Sequence, residues 1–408
     1  MANGEMAKTD PSSVSGSTPL SEIFAVFLRL GLTSFGGPIA HLGYFREEFV
    51  ARRKWLDDKT YADLVALCQF LPGPASSQIG IAVGLLRGGY AGSLLAWLGF
   101  TLPSAILMVL FAFSVASIGD ALGSGWLHGL KIAAVAVVAQ ALLGMARSLT
   151  PDRERATLAV AAAALTLAVP TAWGQVGAIL LGGVVGMALL RNGVRDDHVD
   201  LPSPVTRRAA FASLALFFAL LIGLPLASSA FPNQSLAVFD AFYRAGSLVF
   251  GGGHVVLPLL QAEVVPPGWV SNDAFLAGYG AAQALPGPLF AFAGFLGAAM
   301  GSAPNGLTGA VLCLVAVFLP SFLLIIGALP FWTLLRARPA AQAALKGVNA
   351  AVVGLLLAAF YHPVWTSGIM DRWDFAIGAA AFLLLTMWKT PPWLVVILCA
   401  LAGAVVSP

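Results

Sequence analysis

Apolar positions along this 408-residue chain gather into long, unbroken runs. Ile132 to Ala146, Leu158 to Val169, Val176 to Leu190, Ala209 to Leu226 and Leu394 to Val406 contain no acid and no base. With their flanks, such runs reach the roughly 20 residues that an α-helix needs to cross the hydrocarbon core of a bilayer. They predict transmembrane helices. Other apolar stretches are cut by helix breakers: Phe35-Gly36-Gly37-Pro38, Leu71-Pro72-Gly73-Pro74, Phe250-Gly251-Gly252-Gly253 and Leu285-Pro286-Gly287-Pro288. A bilayer tolerates irregular backbone only where it is buried in protein or lines a cavity. The breakers therefore predict broken helices around a site.

The breakers belong to a repeat. Arg29-x-Gly31-x-x-x-Phe35-Gly36-Gly37 returns as Arg244-x-Gly246-x-x-x-Phe250-Gly251-Gly252, and Gln69-x-Leu71-Pro72-Gly73-Pro74 returns as Gln283-x-Leu285-Pro286-Gly287-Pro288. Leu102-Pro103-Ser104 returns as Leu319-Pro320-Ser321, and Leu130-Lys131 as Leu345-Lys346. Four blocks in one order, at a nearly constant offset, mark an internal duplication.

Composition agrees with a membrane protein. Hydrophobic residues make up 59% of the chain and charged residues 10%, where a soluble domain carries about 25% charge. A net charge of +3 is too small to point to nucleic acid. Residues 1–20, rich in Ser, Thr, Gly and Pro, read as a disordered tail, and no cleavable signal peptide is expected. Residues 21–190 form the first repeat, 191–232 a cytoplasmic linker with one inverting helix, and 233–408 the second repeat. Cys68, Cys313 and Cys399 lie far apart with no metal spacing and read as small packing residues. No metal or cofactor is expected.

Lys and Arg give the orientation. Arg46, Arg52, Arg53, Lys54 and Lys59 follow the first Gly-Gly block, whereas its counterpart, 261–273, has no base. Asp120 lies in a base-free connection whose counterpart carries Arg336 and Arg338. Arg147, Arg153 and Arg155 face a counterpart whose sole Lys or Arg is Arg372. Positive charge thus changes ends between equivalent loops, and the positive-inside rule makes the repeats opposite in orientation. The expected fold is an all-α polytopic membrane protein of two inverted-topology repeats, with broken or re-entrant helices at the midplane. Re-entrant hairpins fit the charge map better than kinked full spans. They place the N-terminus, 46–59 and 191–208 in the cytoplasm.

Arg29, Arg244, Lys131 and Lys346 are the bases left in the apolar stretches, with no deep acid evident to neutralise them. Snorkelling to the interface is one reading; relief by a bound anion is the other, and it accounts for both members of each pair. Each breaker also opens a new helix, whose N-terminus offers free N–H groups and the positive end of the helix dipole. That arrangement binds anions. The candidate substrate set is Arg29, Gly36, Gly37, Gln69, Pro72, Gly73, Pro74, Ser76, Ser77, Lys131, Arg244, Gly251, Gly252, His254, Gln283, Pro286, Gly287, Pro288 and Lys346. His41 and His254, just past the Gly blocks, are read first as hydrogen-bonded helix histidines and second as titrating groups of a proton-coupled cycle.

These residues resemble the chromate ion transporter family in its long, two-domain form. The match runs through Phe35-Gly36-Gly37-Pro38-Ile39-Ala40-His41, Cys68-Gln69-Phe70-Leu71-Pro72-Gly73-Pro74 with Ser76-Ser77-Gln78, Gly251-Gly252-Gly253-His254 and Ala282-Gln283-Ala284-Leu285-Pro286-Gly287-Pro288. Ala291 departs from it, standing where a hydroxyl is expected, which weakens the second-half helix start as a ligand. The resemblance implies export of chromate, with sulfate as competitor, from the cytoplasm of a bacterium through its inner membrane, and chromate resistance. The lipid bilayer is the partner, with a homodimer possible. A channel or exchanger for another small anion such as sulfate is the alternative. An enzyme is not expected: the chain lacks Gly-x-Ser-x-Gly, His-Glu-x-x-His and a nucleotide-binding Gly-x-x-x-x-Gly-Lys loop.

Overall fold

The computed structural model describes residues 18–118, 125–190, 203–336 and 338–406. Most of the polar tail, Asp120 and the 191–202 part of the linker lie outside the described residues. The described residues are helical with no strand. Six stretches are long and apolar enough to cross a membrane: Ala75–Val115, Gly125–Leu149, Ala172–Leu189, Arg207–Ala230, Gly306–Leu335 and Pro339–Gly368. The chain is an all-α polytopic membrane protein.

Each half opens with short helices that turn back. α1 (Leu20–Thr33) ends at Ser34, and α2 (Gly37–Arg46), continued by a π-turn through Arg52, returns until Arg53 pairs with Glu22 at the start of α1. α3 (Asp58–Phe70) is started by Asp57, whose carboxylate accepts the Thr60 N–H at 2.9 Å, and is stopped by Pro72-Gly73-Pro74. The first arm of α4 (Ala75–Ile118) then runs back to Arg87, whose side chain reaches Thr18. Arg53 and Arg87 both lie over the Trp55 ring, at 5.3 and 5.8 Å. Both excursions thus return to one end of the molecule. At 13 residues, α3 is about 20 Å long, short of the roughly 30 Å hydrocarbon core. Non-helical backbone at Gly88 and Gly89 reverses α4, so that Gly84 faces Gly92, and the second arm crosses the molecule.

The second half repeats this with α9 (Gln234–Leu248), α10 (Val256–Val264), α11 (Asn272–Ala282), α12 (Phe292–Ala299) and the long α13 (Gly306–Ala328). Ser271 caps α11 as Asp57 caps α3, and Gly297 faces Gly309 where Gly84 faces Gly92. The Gly301 N–H reaches the Trp269 carbonyl, so these excursions also return to one end. α8 (Arg207–Ala230) joins the halves; its long apolar stretch is buried only at Ala210 and Phe217. Leu180, Val184, Ile222 and Leu226, on α7 and α8, are more than half exposed, as expected of lipid-facing positions.

The closing helices are exchanged. α5 (Gly125–Leu149) packs along α17 (Arg372–Thr386) and α18 (Pro392–Val406) of the second half. Reciprocally, α15 (Pro339–Ala359) packs along α6 (Arg153–Ala168) and α7 (Ala172–Leu189) of the first. Glycines allow both approaches: Gly129 and Gly403 between α5 and α18, Gly347 and Gly186 between α15 and α7. The short α14 (Trp332–Arg336) and α16 (Thr366–Gly368) complete the chain.

Candidate functional site

The four breaks meet across the two halves. The Gly73 N–H donates to the carbonyl of Val249, where α9 ends, at 2.6 Å. The Gly287 N–H donates to the carbonyl of Ser34, where α1 ends, at 2.9 Å. Val249 and Ser34 are repeat counterparts, as are the two glycines. The third repeated block now has a physical reason: Ser321 Oγ rests against Gly73, and Ser104 Oγ against Gly287, each where a Cβ would come within 2.9 Å. Both glycines sit at positive φ, +127° and +90°, which L side chains rarely adopt. The N–H groups of Gly73 and Gly287 are thereby taken by the opposite half, which leaves the N–H groups of the helices that follow them.

Beside this junction lies a cavity of about 340 Å³. Gln69, Gly73 and Ala75 line it from the second break of the first half, Gly251 and Gly252 from the first break of the second half, and Asn349 from α15. Ala75 opens the returning arm of α4, and Gly252 precedes the 3₁₀ turn Gly253–Val255 that leads into α10. Two helix starts, one from each half, thus border one space. Among the described residues, no acid lines it.

Unpartnered polar atoms concentrate around the breaks. Ser34 Oγ, Ser77 Oγ, Gln78 Oε1, Gln283 Nε2, Ser321 Oγ and Asn349 Oδ1 are buried without a hydrogen bond. Buried polar groups are nearly always paired, so such a group calls for water or a ligand. Asn349 Oδ1 would lie 3.4 Å from a Cβ on Gly251. Which amide atom faces the space is an assignment, so Asn349 is a donor or an acceptor there.

The candidate residues separate into groups. Gln69, Gly73, Gly251 and Gly252 share the cavity. Pro72, Pro74, Ser76, Ser77, Gln283, Pro286, Gly287 and Pro288 form the surrounding junction, and the two serines are 3% and 2% exposed. Gly36, at φ +98°, and Gly37, at +76°, turn α1 into α2. His254 Nδ1 lies 2.8 Å from Tyr279 Oη, and His41 Nε2 lies 3.1 Å from the Ser34 carbonyl, as hydrogen-bonded helix histidines. Arg29 stands on the exposed face of α1 and Lys346 is half-buried on α15.

Arg244 and Lys131 are neutralised, contrary to the expectation from sequence. Arg244 pairs with Asp240 at 3.1 Å and Glu263 at 2.9 Å, and its guanidinium lies 5.4 Å from the Trp173 ring centre. Lys131 pairs with Asp273 of the other half at 3.0 Å. Asp240 and Glu263 escaped the sequence reading because each stands near an end of an apolar run; helical spacing and a hairpin bring both to Arg244. Asn349, three residues beyond Lys346, was also missed. Its signal was a polar side chain inside an apolar helix.

Lys131 lies in a second cavity of about 550 Å³, with His128, Ser271, Asp273, Asp371 and Asp374. His128 Nε2 pairs with Asp374 at 2.9 Å. This space is larger, but its three carboxylates oppose a dianion. The two cavities occupy opposite ends of α5. Lys131 lines one and Ser148 the other, about 25 Å apart at 1.5 Å per residue.

The family model described as "Chromate transporter" matches residues 21–187 and 236–404. A chromate transport protein of Pseudomonas aeruginosa is 32% identical, over 98% of this chain and 96% of its own length. A probable chromate transport protein of Synechococcus elongatus is 26% identical, over 95% of both chains. An uncharacterized transporter of Methanocaldococcus jannaschii is 26% identical, over 82% of both. No solved structure matches.

Proposed function

Because the chain belongs to the chromate transporter family, we propose that it carries chromate, or a sulfate-like oxyanion dianion, out of the cytoplasm through the 340 Å³ cavity between its halves. One observation carries the choice of site: two helix starts and the amides of Gln69 and Asn349 border a space that, among the described residues, no acid lines. Helix N-termini attract anions through free N–H groups and the dipole. The larger cavity, with Asp273, Asp371 and Asp374, has the opposite electrostatics.

In this reading the halves are inverted repeats. Residues 21–190 and 233–408 are the two repeats, with 191–232 between them. Arg46 to Lys59, Arg87 and Arg147 to Arg155 face the cytoplasm, as does the N-terminus, while 261–273 faces outward. The membrane is the bacterial inner membrane, and the physiological outcome is chromate resistance. Reciprocal contacts of Gly73 with Val249 and of Gly287 with Ser34 support a pseudo-twofold relation. The cavity opens beside exposed Ser148, next to Arg147, and so draws anions from the basic, cytoplasmic end. Export needs no ATP: a dianion leaving a negative interior gains about 4.6 kcal/mol per 100 mV, two charges at about 2.3 each.

Flux of chromate and sulfate in proteoliposomes, at imposed potential and pH gradients, tests the reading. The expected result is chromate efflux that rises with interior-negative potential and is slowed by sulfate. Halide flux without oxyanion flux would identify the channel or exchanger for another anion instead.

A further inference from the structure

The duplication sets an expectation for how equivalent helices of the two halves should pack. α5 and α15 are counterparts, fixed by Leu130-Lys131 and Leu345-Lys346. α3 and α11 are counterparts, each leading into Gln-x-Leu-Pro-Gly-Pro. A symmetric molecule would pack α15 on α3 as it packs α5 on α11. It does not. The Leu130 carbonyl rests on Gly280 of α11, and Lys131 pairs with Asp273 in its first turn. Between α3 and α15, in place of such packing, lies the 340 Å³ cavity, with Cys68 and Gln69 on one wall and Asn349 on another.

We propose that α5–α11 and α15–α3 are alternate closures of the anion path, with Lys131–Asp273 as the latch at one end and Lys346 with the first turn of α3 as the latch at the other. The inference rests on the inverted-repeat transport reading and goes beyond it, because it moves Lys131 and Lys346 from substrate ligands to gate residues. Ala66, at the offset that relates Gln69 to Gln283, is the counterpart of Gly280 and is small enough for the Leu345 backbone to approach. Asp58, in the first turn of α3, stands one residue before the strict counterpart of Asp273 and is held here by Arg46 at 2.7 Å. Arg46 and Asp58 are 58% and 63% exposed, whereas Lys131 is 12% and Asp273 74% exposed. The Arg46–Asp58 pair, open to water on both sides, contributes little, so releasing Asp58 toward Lys346 costs little. A reversible carrier requires two states close in free energy.

Thiol cross-linking in proteoliposomes tests the pair of closures, in a chain whose three native cysteines are replaced by alanine. One variant carries Lys131→Cys with Asp273→Cys, a second carries Asp58→Cys with Lys346→Cys, and a third carries all four changes. Both pairs are expected to cross-link, each link is expected to cut flux at least tenfold, and the third variant is expected to form one link per molecule and not both. Absence of the 58–346 link beside an efficient 131–273 link overturns the proposal, as does a molecule carrying both. Charge exchange decides it without cysteines. Lys131→Asp alone is expected to lose at least tenfold in flux, and Lys131→Asp with Asp273→Lys to recover to within about threefold of the parent. No recovery overturns the latch. Cross-links are read on gels, so a parent chain that moves neither chromate nor sulfate sinks the transport reading while the two closures are still decided.

Discussion

Arg29 and Arg244 occupy the same place in the two repeats, yet their surroundings differ completely. Arg244 is 11% exposed and holds two carboxylates, Asp240 and Glu263, that are 8% and 13% exposed. Arg29 points outward from α1. Removing one partner of a buried ion pair leaves the other charge uncompensated, at about 3–5 kcal/mol. Arg244→Gln is therefore expected to lower stability by about 3 kcal/mol, and Arg29→Gln by no more than about 0.5 kcal/mol, as for an exposed surface change. Thermal unfolding in detergent measures both, and equal effects would contradict the assignment. Position 73 behaves differently. Its glycine combines a φ of +127° with close approach of Ser321 Oγ and Gln78 Nε2, so Gly73→Ala is expected to lose about 2 kcal/mol or more from backbone strain and collision together. A Gly73→Ala protein that unfolds at the parent temperature would show that the junction yields. The sequence marked all three residues as special through repetition. It could not reveal that Arg244 is neutralised, because Glu263 is 19 residues away and meets it only once the hairpin has formed.

At the scale of elements, the breaks were legible and their use was not. Pro and Gly at fixed spacing inside apolar runs announced interrupted helices, and the structure has them at Ser34–Gly36, Leu71–Pro74, Val249–Gly252 and Leu285–Pro288. No pattern of residues signalled that the Gly73 and Gly287 N–H groups would be captured by the opposite half, since that depends on how α1 and α9 end in space. What remains for an anion is the first turn of each returning helix, with the side chains of Gln69 and Asn349 beside it. Gln69→Leu and Asn349→Leu are each expected to weaken chromate affinity about tenfold, the loss of one hydrogen bond of about 1.5 kcal/mol to a charged group. Concentration dependence of flux at matched protein levels measures this. Unchanged affinity in both variants would move the site away from this cavity.

For the molecule as a whole, the charge pattern conveyed that the ends differ, and the duplication that there are two halves. Neither disclosed the exchange of closing helices, because all the helices concerned are apolar and any of them suits any partner by composition. α5 lies against α17 and α18, and α15 against α6 and α7. Each half is thereby missing part of its own packing. A chain cut between residues 190 and 203 is expected to give no stable product from either fragment alone, and to regain flux when both fragments are made together. Size-exclusion profiles and flux report the outcome; a well-folded first fragment on its own would contradict it. The same exchange sets an order on biogenesis. When α5 leaves the ribosome, its binding surface on α18 has not been translated, and it becomes available only once Pro392–Val406 has been made. The first half must wait in the membrane as a loosely held intermediate until α18 has been made. A nonsense codon ahead of Pro392 would therefore undo the oldest part of the nascent protein along with the newest.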